Sequence, residues 1–315
     1  MPQPRKSLIS LSATSYYHCV SRCVRRAYLC GRDKFTGQSY EHRRQWVEDR
    51  LLLLGTLFAI DICAYAVMSN HTHVVLCVDK EAAESWSTEE VVQRWLRLHK
   101  GTLLAQRYLN PEERKAMSVY ELETVEHTAS IYRERLYDIS WFMRLLNEFI
   151  ARRANNEDNC TGRFWEGRFK SQALLDEDAL AACMVYVDLN PIRAGIAKNV
   201  ESSVHTSINK RIRAEKADNQ PAQLKPFILY GESRHIAKLP FYYNDYVELV
   251  RLAGEHFCSN KGGGISSEIP ILDQTSVSVA NWYWSIENIE AQFTTHISQQ
   301  VIKQKVARRY MAQAG

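Results

Sequence analysis

Residues 65–78 read YAVMSNHTHVVLCV. Two histidines, His71 and His73, stand one residue apart in a short apolar run rich in β-branched residues. That composition favours a strand over a helix. Successive strand residues alternate faces, so His71 and His73 project side by side and Thr72 points the other way. Ser69-Asn70 supplies turn chemistry before them. The segment therefore reads as a β-hairpin with both imidazoles at the start of its second arm. A same-face pair of neutral imidazoles on a rigid strand suits a divalent metal. The plainer reading is a pair of core histidines with satisfied hydrogen bonds, and two polar rings would then need partners at once.

Outward from the hairpin the chain alternates strands and helices. YYHCVSRCV (16–24) reads as a first strand, EHRRQWVEDRLLLLGTLFA (41–59) as a first helix and DICAYAVM (61–68) as the strand before the turn. STEEVVQRWLRLHKG carries a Ser-x-x-Glu capping box at Ser87–Glu90 and reads as a helix closing on Gly101. Residues 102–138 are polar and look like an insertion with helical pieces of its own. A helix over 139–156 and a fourth strand over 167–175 follow. A helix then opens on the acids of DEDALAACMVYVDLN and ends at Pro191. This order implies an α+β fold, an antiparallel sheet with helices packed on its faces. From about residue 206 the pattern changes, so residues 1–205 read as the main domain and 206–315 as an accessory C-terminal extension.

In the helix before Pro191, Tyr186 and Asn190 lie four residues apart, which leaves them about 40° apart around the axis. A phenol and a carboxamide then share one face. If that face lies over His71 and His73, the Asn190 amide oxygen completes a metal shell with the Tyr186 hydroxyl beside it. A half-buried helix tyrosine and a helix-terminal cap are equally open readings on spacing alone.

The chain has 315 residues, 45% hydrophobic and 24% charged, with a net charge of +4, as expected of an ordinary soluble globular protein. No run is apolar and long enough to span a bilayer, and the N-terminus lacks signal-peptide character, so the expected location is the cytoplasm. The eight cysteines show no disulfide spacing. Cys19, Cys23 and Cys30 near His18 read as reduced structural residues rather than a zinc site. The positive charge is clustered. Arg22, Arg25, Arg26 and Arg32 form one group, and Arg152, Arg153, Arg163, Arg168 and Lys170 a second, interleaved with Phe164, Trp165 and Phe169. Lys210, Arg211 and Arg213 form a third. Guanidinium groups beside aromatic rings suit a flexible polyanion whose bases can stack. In GRFWEGRFK this reading is preferred to a solvated face with its rings turned inward.

His-Thr-His in an apolar strand followed by YVDLNPIRAGI resembles the single-tyrosine HUH nucleases, and most of all the REP-associated tyrosine transposases and related single-strand transposases. YYHCVSR is similar to the first strand of that family, and GRFWEGRFKSQALLDEDAL to its stretch before the tyrosine helix. The resemblance covers roughly residues 10–205. It implies an HUH-nuclease fold of ferredoxin or RRM-like type, with Tyr186 as nucleophile and His71, His73 and Asn190 as ligands of Mg²⁺ or Mn²⁺. It also implies cleavage and rejoining of hairpin-forming single-stranded DNA through a 5′-phosphotyrosine. DNA contacts are expected at Arg22, Arg25, Arg26, Arg163, Phe164, Trp165, Arg168 and Lys170, in a monomer or homodimer that needs no membrane. The alternative is a domesticated protein that binds hairpin DNA without cutting it. The chain departs from the family in having Thr72 where a hydrophobic residue is usual, and in its insertion and C-terminal extension.

Overall fold

A computed structural model describes residues 9–24, 29–33, 36–215, 221–232, 235–258, 289 and 296–297. Its centre is a sheet of strands β1 (Tyr16–Arg22), β2 (Ile60–Val67), β3 (His71–Val78), β4 (Lys170–Leu174) and β5 (His296–Ile297) in the order β2-β3-β1-β4-β5. The first four pair antiparallel, and β5 joins β4 in parallel. Strand β1 sits between β3 and β4, with His18 opposite Val75 on one side and Gln172 on the other.

The helices are α1 (Arg43–Leu57), α2 (Lys80–Ser85), α3 (Thr88–Leu96), α4 (Leu103–Leu109), α5 (Pro111–Lys115), α6 (Val119–Leu136), α7 (Ile139–Glu157), α8 (Glu177–Asp188), α9 (Asn190–Arg193), α10 (Ser207–Glu215) and α11 (Tyr243–Cys258). The expected α+β architecture is therefore present, with helices on both faces of the sheet. The 102–138 segment is helical, as α4, α5 and α6.

Strand alternation splits the apolar residues between two cores. Tyr17, Cys19, Val74, Leu76 and Val78 face a first core built with α1, α3, α4, α6 and α7. Val75, Cys77 and Leu174 face a second core built with α8, α10 and α11. In β2 a register irregularity between Ile62 and Ala64 reverses the alternation. Ile60 and Ile62 face the first core, whereas Ala64 and Ala66 face the second. One extra residue in a strand has this effect.

Several local signals explain the helix boundaries. Ser87 accepts the Glu90 N–H and starts α3, but Glu90 pairs with Arg94 rather than closing a box. The helix stops at Leu96, short of Gly101, which adopts a left-handed φ of +69°. A complete capping box, Ser118 with Glu121, opens α6. Asp176 caps α8.

Helix α8 is apolar all round, and every residue from Ala179 to Asp188 is buried, as befits a helix between a sheet and further helices. It does not run to Asn190 as one piece. Pro191 has no N–H to donate and its ring crowds the preceding turn, so the helix breaks at Leu189. A new turn, α9, restarts with Pro191 in its first positions, where proline is tolerated.

Described residues between 206 and 258, including those of α10 and α11, are built into this second core. Thr206 bridges to Ala66, and the buried Lys225 ammonium meets Asp61 at 2.6 Å. At the end of α8 the fully buried Asp188 accepts hydrogen bonds from Ser207 Oγ (2.5 Å), the Ile208 N–H (2.9 Å) and the Tyr246 O–H (2.6 Å). Among the described residues no helix is long and apolar enough to cross a membrane.

Candidate active site

Strand parity puts Tyr16, His18, Val20 and Arg22 of β1 on one face of the sheet. His71, His73, Val75 and Cys77 of β3 share that face, as do Lys170, Gln172 and Leu174 of β4. The inner members, Val75, Cys77 and Leu174, pack against α8. Toward the other end the same face turns polar, because Arg22 lies opposite His71 and Lys170 lies opposite Val20.

The hairpin turn is held rigidly. Met68 N–H donates to His71 O at 2.9 Å, and the carbonyls of Ser69 and Asn70 accept from Cys30 and Cys23. Arg44, nearly buried, donates to Val67 O and, at 3.3 Å, to Ser69 Oγ. His71 thus leaves the turn in a fixed direction. Its Nδ1 contacts Asn70 Oδ1 at 2.6 Å. A carbonyl oxygen accepts only, so His71 Nδ1 donates and Nε2 carries the lone pair.

His73 is fully buried. Its ring centroid lies 4.8 Å from that of His71 and 5.5 Å from that of Tyr186. The structure therefore joins the hairpin histidines to the α8 tyrosine across the sheet–helix interface. His73 Nδ1 contacts His18 Nε2 at 3.0 Å, and Nε2 has no hydrogen-bond partner among the described residues. Burial, with repulsion from His18, His71, Arg22 and Arg193, holds the His73 imidazole well below its ordinary pKa. The ring is neutral at physiological pH, the state in which an imidazole ligates a metal.

Tyr186 is 1% exposed. The Arg193 guanidinium lies over its ring at 4.8 Å, and the His18 ring stands edge-on to it at 6.2 Å. Asn190, at the start of α9, is buried, and its Nδ2 has no hydrogen-bond partner among the described residues. Among the described residues no group of three or more His, Cys, Asp or Glu is arranged to hold a metal. A cation here would rest on two imidazoles and an amide. The buried, unpartnered nitrogen His73 Nε2 fits a divalent ion that accepts nitrogen ligands, whereas the unpartnered atom of Asn190, Nδ2, is an N–H donor and its Oδ1 would be the ligating atom.

The basic segment meets the site at its rim. Trp165 bridges to Cys23, and Glu166 N–H donates to Arg22 O at 2.8 Å, which lays residues 164–166 alongside the end of β1. Arg22, Arg163, Arg168 and Lys170 are exposed. The aromatic residues are placed differently from the expectation. Phe164 is 3% exposed in the first core, and the Trp165 indole N–H donates to Asn147 O at 2.8 Å. Apolar burial outweighs solvent exposure for such rings, so they anchor the loop, and the expectation that bases stack on Phe164 is corrected. In the third basic cluster Arg211 is likewise buried, donating to Cys63 O and Lys225 O. Arg25 and Arg26 lie outside the described residues. Cys19, Cys23 and Cys30 are buried in the first core, on the opposite side of the sheet from the His18 ring.

Residues that sequence spacing did not single out are His18, Gln172 and Arg193. His18 and Gln172 join the site only through strand pairing. Arg193 follows from the extra turn of α9.

No family model matches the sequence, and no curated protein matches it. A solved structure of a REP-associated tyrosine transposase bound to a REP hairpin is similar over 70% of this chain and 92% of that chain. Its sequence identity is 12% and its TM-score 0.37.

Proposed function

We propose that the protein is a single-stranded DNA nicking and strand-transfer enzyme that uses Tyr186 as nucleophile and acts on hairpin-forming DNA. The observation that carries this reading is the meeting of Tyr186 with His73, and through it His71, across the β3–α8 interface. In the reaction the Tyr186 phenol oxygen attacks the scissile phosphorus. The P–O3′ bond breaks, the phenol proton is balanced by the new 3′-OH, and the 5′-phosphate stays on the tyrosine. Reversal by another 3′-OH rejoins strands. His71, His73 and Asn190 would hold a divalent ion, Mg²⁺ or Mn²⁺, which supplies charge to a non-bridging phosphate oxygen when bound. Arg193 adds positive charge beside the phenol. Exposed Arg22, Arg163, Arg168 and Lys170 would guide the strand along the rim through its phosphates.

The near-complete burial of Tyr186 favours a second reading, a hairpin-binding protein that no longer cuts. One experiment separates the two. Labelled single-stranded hairpin DNA is incubated with the protein and Mn²⁺, and the products are resolved on a denaturing gel. The enzyme reading expects nicked DNA and a protein–DNA adduct mapped to Tyr186. Tyr186→Phe removes both while hairpin affinity is kept, and the double change of His71 and His73 to Ala removes cleavage. Hairpin binding by the wild type with no nick and no adduct would establish the second reading. An adduct on another tyrosine would overturn the assignment of α8.

A further inference from the structure

Both hairpin histidines are supported at Nδ1, but by different kinds of partner. For His71 the partner is a carbonyl oxygen, which fixes the proton on Nδ1. For His73 the partner is a second imidazole, and the hydrogen bond runs either way. The contact is 3.0 Å, the rings are 17° from coplanar and their centroids are 5.2 Å apart. That centroid distance is close to the sum of the contact and the two ring radii. The bond therefore lies in the plane of both rings, along the lone-pair direction, and is not a face-to-face stack.

We propose that His18 is the positioning residue of His73: its Nε2 accepts the His73 Nδ1–H and holds His73 Nε2 as a bare nitrogen inside the site. Two observations favour this direction. His73 Nε2 is buried with no hydrogen-bond partner among the described residues. A bare nitrogen there is available to a cation, whereas a protonated one is not. The neighbouring His71 has its Nε2 lone pair fixed by Asn70. Two adjacent rings can serve one cation only if both present lone pairs. With the opposite direction the pair would present one lone pair and one N–H. His18 reaches this position through the register of the sheet, because Val20 lies opposite His73 and puts His18 two residues along β1 on the same face.

The inference rests on the metal-dependent reading above, and its test separates the two. The full chain is labelled with ¹⁵N-histidine, and the His73 tautomer is read by long-range ¹H–¹⁵N correlation without metal. The affinity for Mn²⁺ alone is measured by calorimetry. The wild type is expected to show a protonated Nδ1 and a bare Nε2. His18→Leu is expected to mix the His73 tautomers and to weaken Mn²⁺ binding by about tenfold to a hundredfold, the usual effect of losing a ligand-orienting partner. His18→Gln puts an amide oxygen within reach of Nδ1 and is expected to restore both readouts. Metal-free hairpin binding reports that the variants are folded. A wild-type His73 protonated on Nε2 overturns the proposal without any variant, and so does His18→Leu with unchanged tautomer and Mn²⁺ affinity. A wild type with the expected tautomer that takes up no Mn²⁺ supports the role of His18 and overturns the metal-dependent reading.

Discussion

Asp188 ends α8 two residues after Tyr186, and three donors from the 206–258 segment converge on its carboxyl group. Asp188→Ala leaves those donors buried without an acceptor. Each stranded donor costs about 1–3 kcal/mol, and partial relaxation brings the sum to about 4 kcal/mol. In a protein of this size that lowers Tm by roughly 6 °C, at about 2.1 cal/mol/K of unfolding entropy per residue. Asp188→Asn keeps one oxygen and the shape, and isolates the charge. Burial raises the Asp188 pKa to about 6, against the opposing effect of its hydrogen bonds and of Arg211. In an unfolded chain the same group titrates near ~3.9. Between these values the folded protein holds a proton that the unfolded chain has lost. The stability this group contributes is full below the lower pKa and falls as pH rises through 6, by on the order of 3 kcal/mol in all. Urea unfolding at pH 4.5 and pH 7.5 measures it. The stability difference between Asp188→Asn and wild type should move in favour of the variant by about 2 kcal/mol on going to the higher pH, the share of the total that falls between these two pH values. Parallel pH profiles for the two proteins would refute the claim that a buried, proton-holding carboxyl locks α8 to the C-terminal segment.

Replacing Arg163, Arg168 and Lys170 with Ala should weaken binding to single-stranded DNA and flatten its log–log salt dependence by about 2, at about 0.7 per phosphate contact. An unchanged slope would mean these side chains do not meet the strand. Phe164→Ala should cost about 3–5 kcal/mol in unfolding free energy, because the ring fills the first core. A loss confined to DNA binding, with stability unchanged, would restore Phe164 as a stacking platform. A chain ending at residue 205 should fail to unfold cooperatively, since it lacks α10, α11 and the donors to Asp188; a sharp wild-type-like transition would show that the second core closes without them.

Much of the fold was legible because its signals are local. The apolar, β-branched hairpin, the acids before α8 and the 139–157 helix each depend on neighbours a few residues away. So does the His71/His73 pair, whose common face follows from strand geometry alone. What was not legible depends on pairing. His18 meets His73 across 55 residues, and nothing in YYHCVSR states which strand will lie beside it. The irregularity at Cys63 reverses the faces of β2, which alternation within IDICAYAV does not reveal. The burial of Phe164 and Arg211 is out of reach of the sequence for a related reason. Composition shows that a ring or a guanidinium is present, and only packing shows which way it turns. Pro191 was read as a stop, although a proline serves equally well in the first turn of a new helix, and that choice brought Arg193 over Tyr186.

The two-sided sheet has a consequence for how the protein can change. The histidines and the tyrosine meet on one side of a single-layer sheet, while α3, α4 and α6 are fastened to the other. Away from the irregularity in β2, side chains of one strand that differ by a single position fall in different compartments. The 102–138 segment is therefore free to lengthen, shorten or acquire new surface chemistry without entering the room where Tyr186 stands. Residues on α8, α10 and α11 have no such licence, because every one of their inward faces is a wall of that room.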